Sequence, residues 1–311
     1  MDESNIEPIV QRYIKHCRYE KGLDDKKLKA YRTDITQFTG YISRTGGNYC
    51  KDCVQAYIAS LYDDYAVKSV KRKIASLKAF FNYLEYEEIL NINPFAKIRV
   101  RIHEPFLLPR TIPFAEIKKL LSCVYNQLSA DTENTYQYRI HLRDIAVLEL
   151  LFATGVRISE LCSLRASDIN IEEGYVKIYG KGAKERLIQI GNQDVLNAVE
   201  NYHCVFSDQI KKTGWFFINK LGNQLLDQSV RNMIVKYCNI AGIQMHITPH
   251  MFRHSFATLL LEEDVDIRYI QRLLGHSSIV TTQIYTHVTS RKQRDILTAK
   301  HPRNKITTTR E

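Results

Sequence analysis

Apolar residues recur three and four positions apart along most of the chain, a spacing that predicts helices. Ile9, Tyr13, Ile14 and Cys17 share one face over Ile6–Arg18, and Leu28, Tyr31, Ile35, Phe38 and Ile42 do so over Lys27–Ile42. Gly46, Gly47 and Asn48 break the pattern. Helices are then expected over Cys53–Leu61 and Val67–Leu84, and Asn93–Pro94 closes the unit. The last of these helices carries Lys68, Lys71, Arg72, Lys73 and Lys78 beside an apolar stripe of Val70, Ile74, Leu77, Phe80, Phe81 and Leu84. Such a basic face is either solvated or in contact with phosphates. Between Ile98 and Pro113, prolines and arginines replace helical periodicity, so this stretch is expected to link two domains.

Beyond the linker, helices are expected over Pro113–Leu128, Arg143–Thr154 and Ile158–Leu164, with a polar loop over Ser129–Tyr138 and Gly155 as a helix stop. The period then changes to alternation. Gly174–Tyr179 and Arg186–Ile190 predict two strands joined through Gly180–Lys184, a hairpin with a basic tip. Helices resume over Gln193–Phe206 and Asp227–Ala241, with Trp215–Asn219 strand-like between them. Three helical segments begin near Thr248, Asp266 and Ser278, and a charged tail runs from Arg291 to Glu311. The expected fold is mainly α with a small antiparallel β-sheet. Its parts are an N-terminal helical domain over 1–100, a linker over 101–112, a second domain over 113–300 and a tail over 301–311.

Charge narrows the class of partner. The 311 residues carry 44 Lys and Arg against 34 Asp and Glu, a net +10. Up to Ile112 there are 19 basic and 14 acidic residues, so each half holds +5 and a polyanion would touch both. No apolar run approaches the roughly 20 residues of a membrane-spanning helix. The acidic start MDESNIEP is unlike a secretory signal, so a soluble, cytoplasmic protein is expected. Seven cysteines, an odd number, fit a reducing compartment; Cys50 and Cys53 form a single CxxC without the partners a zinc site needs.

The sharpest chemical signal is TPHMFRH at Thr248–His254. Thr248 suits an N-cap and Pro249 the first helical position, which places His250 and Arg253 on one face of a first turn. That end of a helix favours anions; alone, it is equally consistent with a capped histidine and a surface ion pair. Other groups suited to phosphate stand at element ends. Arg157 begins a helix with Glu160 three residues on, Lys181 lies at the hairpin turn, His276 follows Gly275, and Tyr285 comes nine residues later. Metal-dependent phosphodiester chemistry needs clustered carboxylates, whereas Glu262, Glu263, Asp264 and Asp266 are contiguous and suit a solvated turn. Metal-free phosphoryl transfer needs fixed cations, a nucleophile and an acid, and this set supplies them without a cofactor.

The ordered motifs TGVRISEL, YGKGAKER, TPHMFRHSFAT and LLGHSSIVTTQIYTH resemble those of the tyrosine recombinases, the lambda-integrase family, and in particular its Xer-like members. The resemblance spans most of the chain. It implies an N-terminal core-binding, SAM-like domain and a C-terminal catalytic domain that together clamp double-stranded DNA, with Lys71, Arg72 and Lys78 as DNA contacts. It further implies that Arg157 and Arg253 hold the scissile phosphate, Lys181 protonates the departing 5′ oxygen, His250 gives acid–base support and His276 hydrogen-bonds the phosphate. Tyr285 would attack to form a 3′-phosphotyrosyl intermediate, with Glu160 holding the site together and no metal or nucleotide required. His254 and His287 are assigned structural roles. Strand exchange would proceed through a Holliday junction in a homotetramer, with or without a related recombinase or accessory factor, and Lys292–Ala299 would dock into the neighbouring protomer. The long Ser129–Tyr138 loop and the Thr-rich tail depart from the Xer pattern, which leaves integration, excision, inversion and dimer resolution open. A topoisomerase relaxing DNA through the same chemistry, and a DNA-binding protein that cuts nothing, are the competing classes.

Overall fold

A computed structural model describes residues 6–100, 102, 110–133, 135–180 and 185–275. The chain divides into two compact units, Met1–Phe106 and Leu107–Glu311. Among the described residues no helix is long and apolar enough to cross a membrane.

The N-terminal unit holds four helices, α1 (Ile6–Tyr19), α2 (Asp25–Thr45), α3 (Lys51–Asp64) and α4 (Val67–Tyr86), followed by a 3-10 turn over Pro94–Lys97. The stripes read from the sequence form its core: Tyr13, Ile35, Phe38, Val54, Leu77, Phe80, Phe81 and Leu84 are buried together. Asp24 caps α2 by accepting from the Lys27 amide at 2.9 Å. Cys50 stands at the N-cap of α3, where its sulfur accepts from the Cys53 amide.

A polar cluster centred on Asp34 lies within this core. Asp34 on α2 is fully buried and accepts from Ser76 Oγ at 2.8 Å, from Lys73 Nζ at 3.2 Å and from Arg72. Lys73 is itself 2% exposed, and its ammonium stands 4.3 Å from the centre of the Tyr65 ring. The basic face of α4 is therefore divided. Lys71 and Lys78 point outward, Lys73 points inward as the counter-charge of Asp34, and the half-exposed Arg72 is held at the boundary. Paired burial of this kind is how a lysine enters a core.

The second unit is built around α6 (Tyr136–Thr154), in which every residue from Asp144 to Leu151 is buried. α5 (Phe114–Ala130), α8 (Gln193–Thr213) and α10 (Pro249–Glu262) pack on it, and α9 (Asp227–Ile240) packs on α5. Three interior polar side chains of α6 find partners. Asp144 accepts from the Tyr237 hydroxyl at 2.8 Å, Glu149 accepts from the Tyr125 hydroxyl at 3.0 Å, and His141 Nδ1 meets Asp131 at 2.5 Å. A three-stranded antiparallel sheet runs in the order β1 (Ile169–Asn170), β2 (Tyr175–Tyr179), β3 (Glu185–Gln189), with Val176 opposite Ile188 and Ile178 opposite Arg186. The short α7 (Ile158–Cys162), a 3-10 turn over Ala166–Asp168 and α11 (Ile267–Leu274) complete the described elements.

Several expected boundaries move. α6 starts at Tyr136 rather than Arg143, which shrinks the expected Ser129–Tyr138 loop to the residues between Ala130 and Tyr136. Its first two turns escape hydrophobic periodicity because polar groups do the packing: Thr135 caps the helix through the Tyr138 amide, and Arg139 lies 4.9 Å from the Phe206 ring centre. α8 continues past Phe206 to Thr213, since Ile210 extends the buried line of Tyr202 and Phe206, and Gly214 ends it in the left-handed conformation. Trp215–Asn219 is not a strand of the sheet. It is buried by Phe216, Phe217 and Ile218 and held by isolated bridges, Arg165 to Trp215 and Ile218 to Gln224.

Candidate active site

α6 stops where Gly155 adopts φ 59°, and only glycine fits there: a Cβ would lie 2.6 Å from Phe256 Cδ1 and 3.1 Å from Leu274 Cδ2. The ends of α6 and α11 and the wall of α10 thus converge on one residue. Two positions later Arg157 begins α7. Its amide donates to Glu160 Oε2 at 2.9 Å and its Nη1 to Glu160 Oε1 at 2.8 Å.

Glu160 receives a second guanidinium. Arg186 on β3 donates through Nη2 to Oε2 at 2.7 Å and through Nη1 to Oε1 at 3.2 Å, while its Nε donates to the Leu273 carbonyl at 2.8 Å. Burial pushes the Glu160 carboxyl up. The hydrogen bonds from Arg186 and from the Arg157 amide, with the Arg186 charge, outweigh this and hold it below the ordinary carboxylate range.

Arg253, 4% exposed on the first turn of α10, donates through Nη1 to the Gly155 carbonyl at 2.8 Å and through Nη2 to the Leu274 carbonyl at 2.5 Å. Both carbonyls belong to helix ends, where unpaired acceptors and the negative pole of the dipole favour a cation. Hydrogen bonds run from Gly155 through Arg253, the end of α11, Arg186 and Glu160 to Arg157, and the two-residue backbone step from Arg157 back to Gly155 closes the circuit. Three guanidinium groups and one carboxylate in that circuit leave an excess of positive charge, the condition for receiving a phosphodiester.

Thr248 occupies the N-cap position of α10 with extended backbone, but its side chain makes no capping bond; Pro249 alone sets the first turn. His250 is exposed on that turn, three residues before Arg253. His254 is half-buried, and burial, then the charges of His250 and Arg253, lower it to about 4. Of the residues expected from the sequence, Arg157, Glu160 and Arg253 are brought together and His250 stands on the same helix turn as Arg253. Lys181, His276, Tyr285, His287 and the Lys292–Ala299 segment lie outside the described residues. Lys71, Arg72 and Lys78 belong to α4 in the other unit.

Arg186 closes the motif YGKGAKER, yet the sequence reading gives it no role in the site. A signal exists, because in an alternating strand Arg186 shares the inward face with Ile188, and an inward arginine requires a carboxylate or carbonyls to receive it.

Comparison with known proteins shows which family the chain falls in. Residues 118–292 match the phage integrase family, and residues 10–88 match the N-terminal SAM-like domain of phage integrases. A tyrosine recombinase from Agathobacter rectalis is 52% identical over 303 residues, covering 96% of this chain and 98% of that protein. The tyrosine recombinase XerD of Staphylococcus haemolyticus is 35% identical, covering 96% of this chain and all of that protein. The fold is shared with the crystal structure of the XerH site-specific recombinase bound to a palindromic difH substrate in a post-cleavage complex, with TM-score 0.74, 21% identity, and coverage of 93% and 83% of the two chains. A mainly helical chain with a SAM-like N-terminal unit, these motifs in order and this circuit of arginines belongs to the phage integrase family, and is a tyrosine-type site-specific recombinase.

Proposed function

We propose that the protein cuts and rejoins double-stranded DNA at specific sites through a 3′-phosphotyrosyl intermediate, with Tyr285 as nucleophile. Tyr285 gives its phenolic proton to His250 as its oxygen attacks phosphorus, and the bond to the 5′ oxygen breaks. Lys181 supplies the proton that makes that oxygen a hydroxyl, and the phosphodiester energy is retained for religation. Arg157 and Arg253 balance the charge on the non-bridging oxygens, and His276 adds a hydrogen bond to the phosphate. No metal or nucleotide takes part in these steps. Exchange between two sites passes through a Holliday junction in a homotetramer, and Lys71, Arg72 and Lys78 touch the duplex backbone.

The single observation that carries this reading is the circuit in which Gly155, Glu160 and the end of α11 hold Arg157 and Arg253 at fixed places. The test is a suicide duplex, nicked beside the scissile position and carrying the inverted repeats recovered from DNA flanking the gene. The wild-type chain is expected to form a covalent adduct that Tyr285→Phe abolishes. An adduct that persists in that variant rejects the assignment, and relaxation of supercoiled plasmids lacking the repeats favours a topoisomerase.

A further inference from the structure

We propose that Arg186 is a positioning residue for strand cleavage: it locks Arg157 and the C-terminal end of α11 into one frame, an inference that rests on the recombinase reading above. Arg186 is not itself placed against the phosphate. Its guanidinium is turned to the protein, with the two Nη atoms on Glu160 and Nε on the Leu273 carbonyl. The three elements so joined are distant in sequence: β3 carries Arg186, α7 carries Glu160, 26 residues earlier, and α11 carries Leu273, 87 residues later. Glu160 passes the constraint to Arg157 through two further hydrogen bonds.

A second observation is independent of those bonds. Gly275 has φ 64°, and a Cβ there would lie 3.0 Å from Arg186 Nη1 and 3.2 Å from its Cζ. The chain therefore leaves α11 through a residue small enough for the guanidinium to pass beneath it. A planar fork with five donors can serve a carboxylate on one edge and a carbonyl from Nε, whereas a lysine ammonium at the end of a flexible stem cannot span both.

The experiment measures single-turnover cleavage of the suicide duplex beside equilibrium binding to the same duplex, for wild type, Arg186→Ala, Arg186→Lys, Glu160→Gln and the Arg186→Ala/Glu160→Gln double variant. Misplacing a phosphate-holding group by about 1 Å costs on the order of 100-fold, so the Arg186→Ala cleavage rate is expected to fall by about that factor while Kd moves by less than about threefold. Arg186→Lys, which keeps the charge and is the variant to rely on if the alanine form does not fold, is expected to stay at least roughly tenfold slow. The double variant is expected to be no slower than the worse single one, because both break the same link. Full activity in Arg186→Lys, losses that add, or a loss confined to Kd would each overturn the positioning role. A wild-type chain that forms no Tyr285-dependent adduct would instead remove the recombinase reading and this role with it.

Discussion

Arg186 and Glu160 face each other through two N–H···O hydrogen bonds, 2.7 Å from Nη2 to Oε2 and 3.2 Å from Nη1 to Oε1, with both side chains largely shielded from water. Removing one partner of a shielded pair leaves the other charge uncompensated, so Glu160→Ala is expected to destabilise the protein by about 3 kcal/mol in urea titrations. The sign with pH follows from the depressed carboxyl. In the unfolded chain it titrates near 4.3, and in the folded state below that. Its stabilisation is complete above the unfolded value and is lost as pH falls through the folded one, so acid unfolding measured below about pH 4.3 should be shallower in Glu160→Gln.

His254 lies at about 4 in the folded protein against 6.5 ordinarily. Above pH 6.5 both states are neutral there; as pH falls from 6.5 to 4 the unfolded chain takes up a proton that the folded one refuses. Thermal melts between these limits should show stability falling with pH in the wild type, and His254→Leu should flatten that slope.

Glu149 behaves in the opposite sense. Burial raises its carboxyl, against the hydrogen bond from Tyr125, so the folded state holds a proton that the unfolded state releases. Its contribution is favourable at low pH and fades as pH rises through the raised folded value. Glu149→Gln, an uncharged acceptor for the same hydroxyl, should melt higher than wild type at neutral pH and no higher at pH 4.

Gly155→Ala combines a left-handed backbone with a Cβ 2.6 Å from an aromatic ring. We expect a loss of about 2–4 kcal/mol in urea titrations. Because the Gly155 carbonyl holds Arg253, cleavage of the suicide duplex should slow even where the variant remains folded.

On α4, Lys71→Ala and Lys78→Ala should each reduce the slope of log affinity for duplex DNA against log salt by about 0.9, the share of a single neutralised phosphate. Asp34→Ala should act differently. It strands the buried Lys73 ammonium and lowers the stability of the N-terminal unit by about 3–5 kcal/mol, which a urea titration followed by tyrosine fluorescence would detect.

What the sequence discloses follows what its periodicities record. The stripes of α1, α2 and α4 are apolar at helical spacing and reappear as the N-terminal core. The alternation over Gly174–Tyr179 and Arg186–Ile190 reappears, with strand ends moved by one residue, as the β2–β3 ladder of Tyr175–Tyr179 and Glu185–Gln189. The opening of α6 is hidden because Arg139 and His141 pack through charge and hydrogen bonds, which a hydrophobic pattern does not register. Arg157, Glu160 and Arg253 are visible as motif residues. The links that gather them are not, since the Leu273 and Leu274 carbonyls are backbone atoms and carry no residue signature.

The burial of α6 along its length has a mechanical consequence. α5, α8 and α10 cannot separate from it without wetting a column of aliphatic side chains and stranding Asp144 and Glu149. Amides in the middle of α6 should therefore exchange with solvent only by global melting, and their protection would serve as an internal gauge of how intact the whole second unit remains while its outer elements work on a substrate.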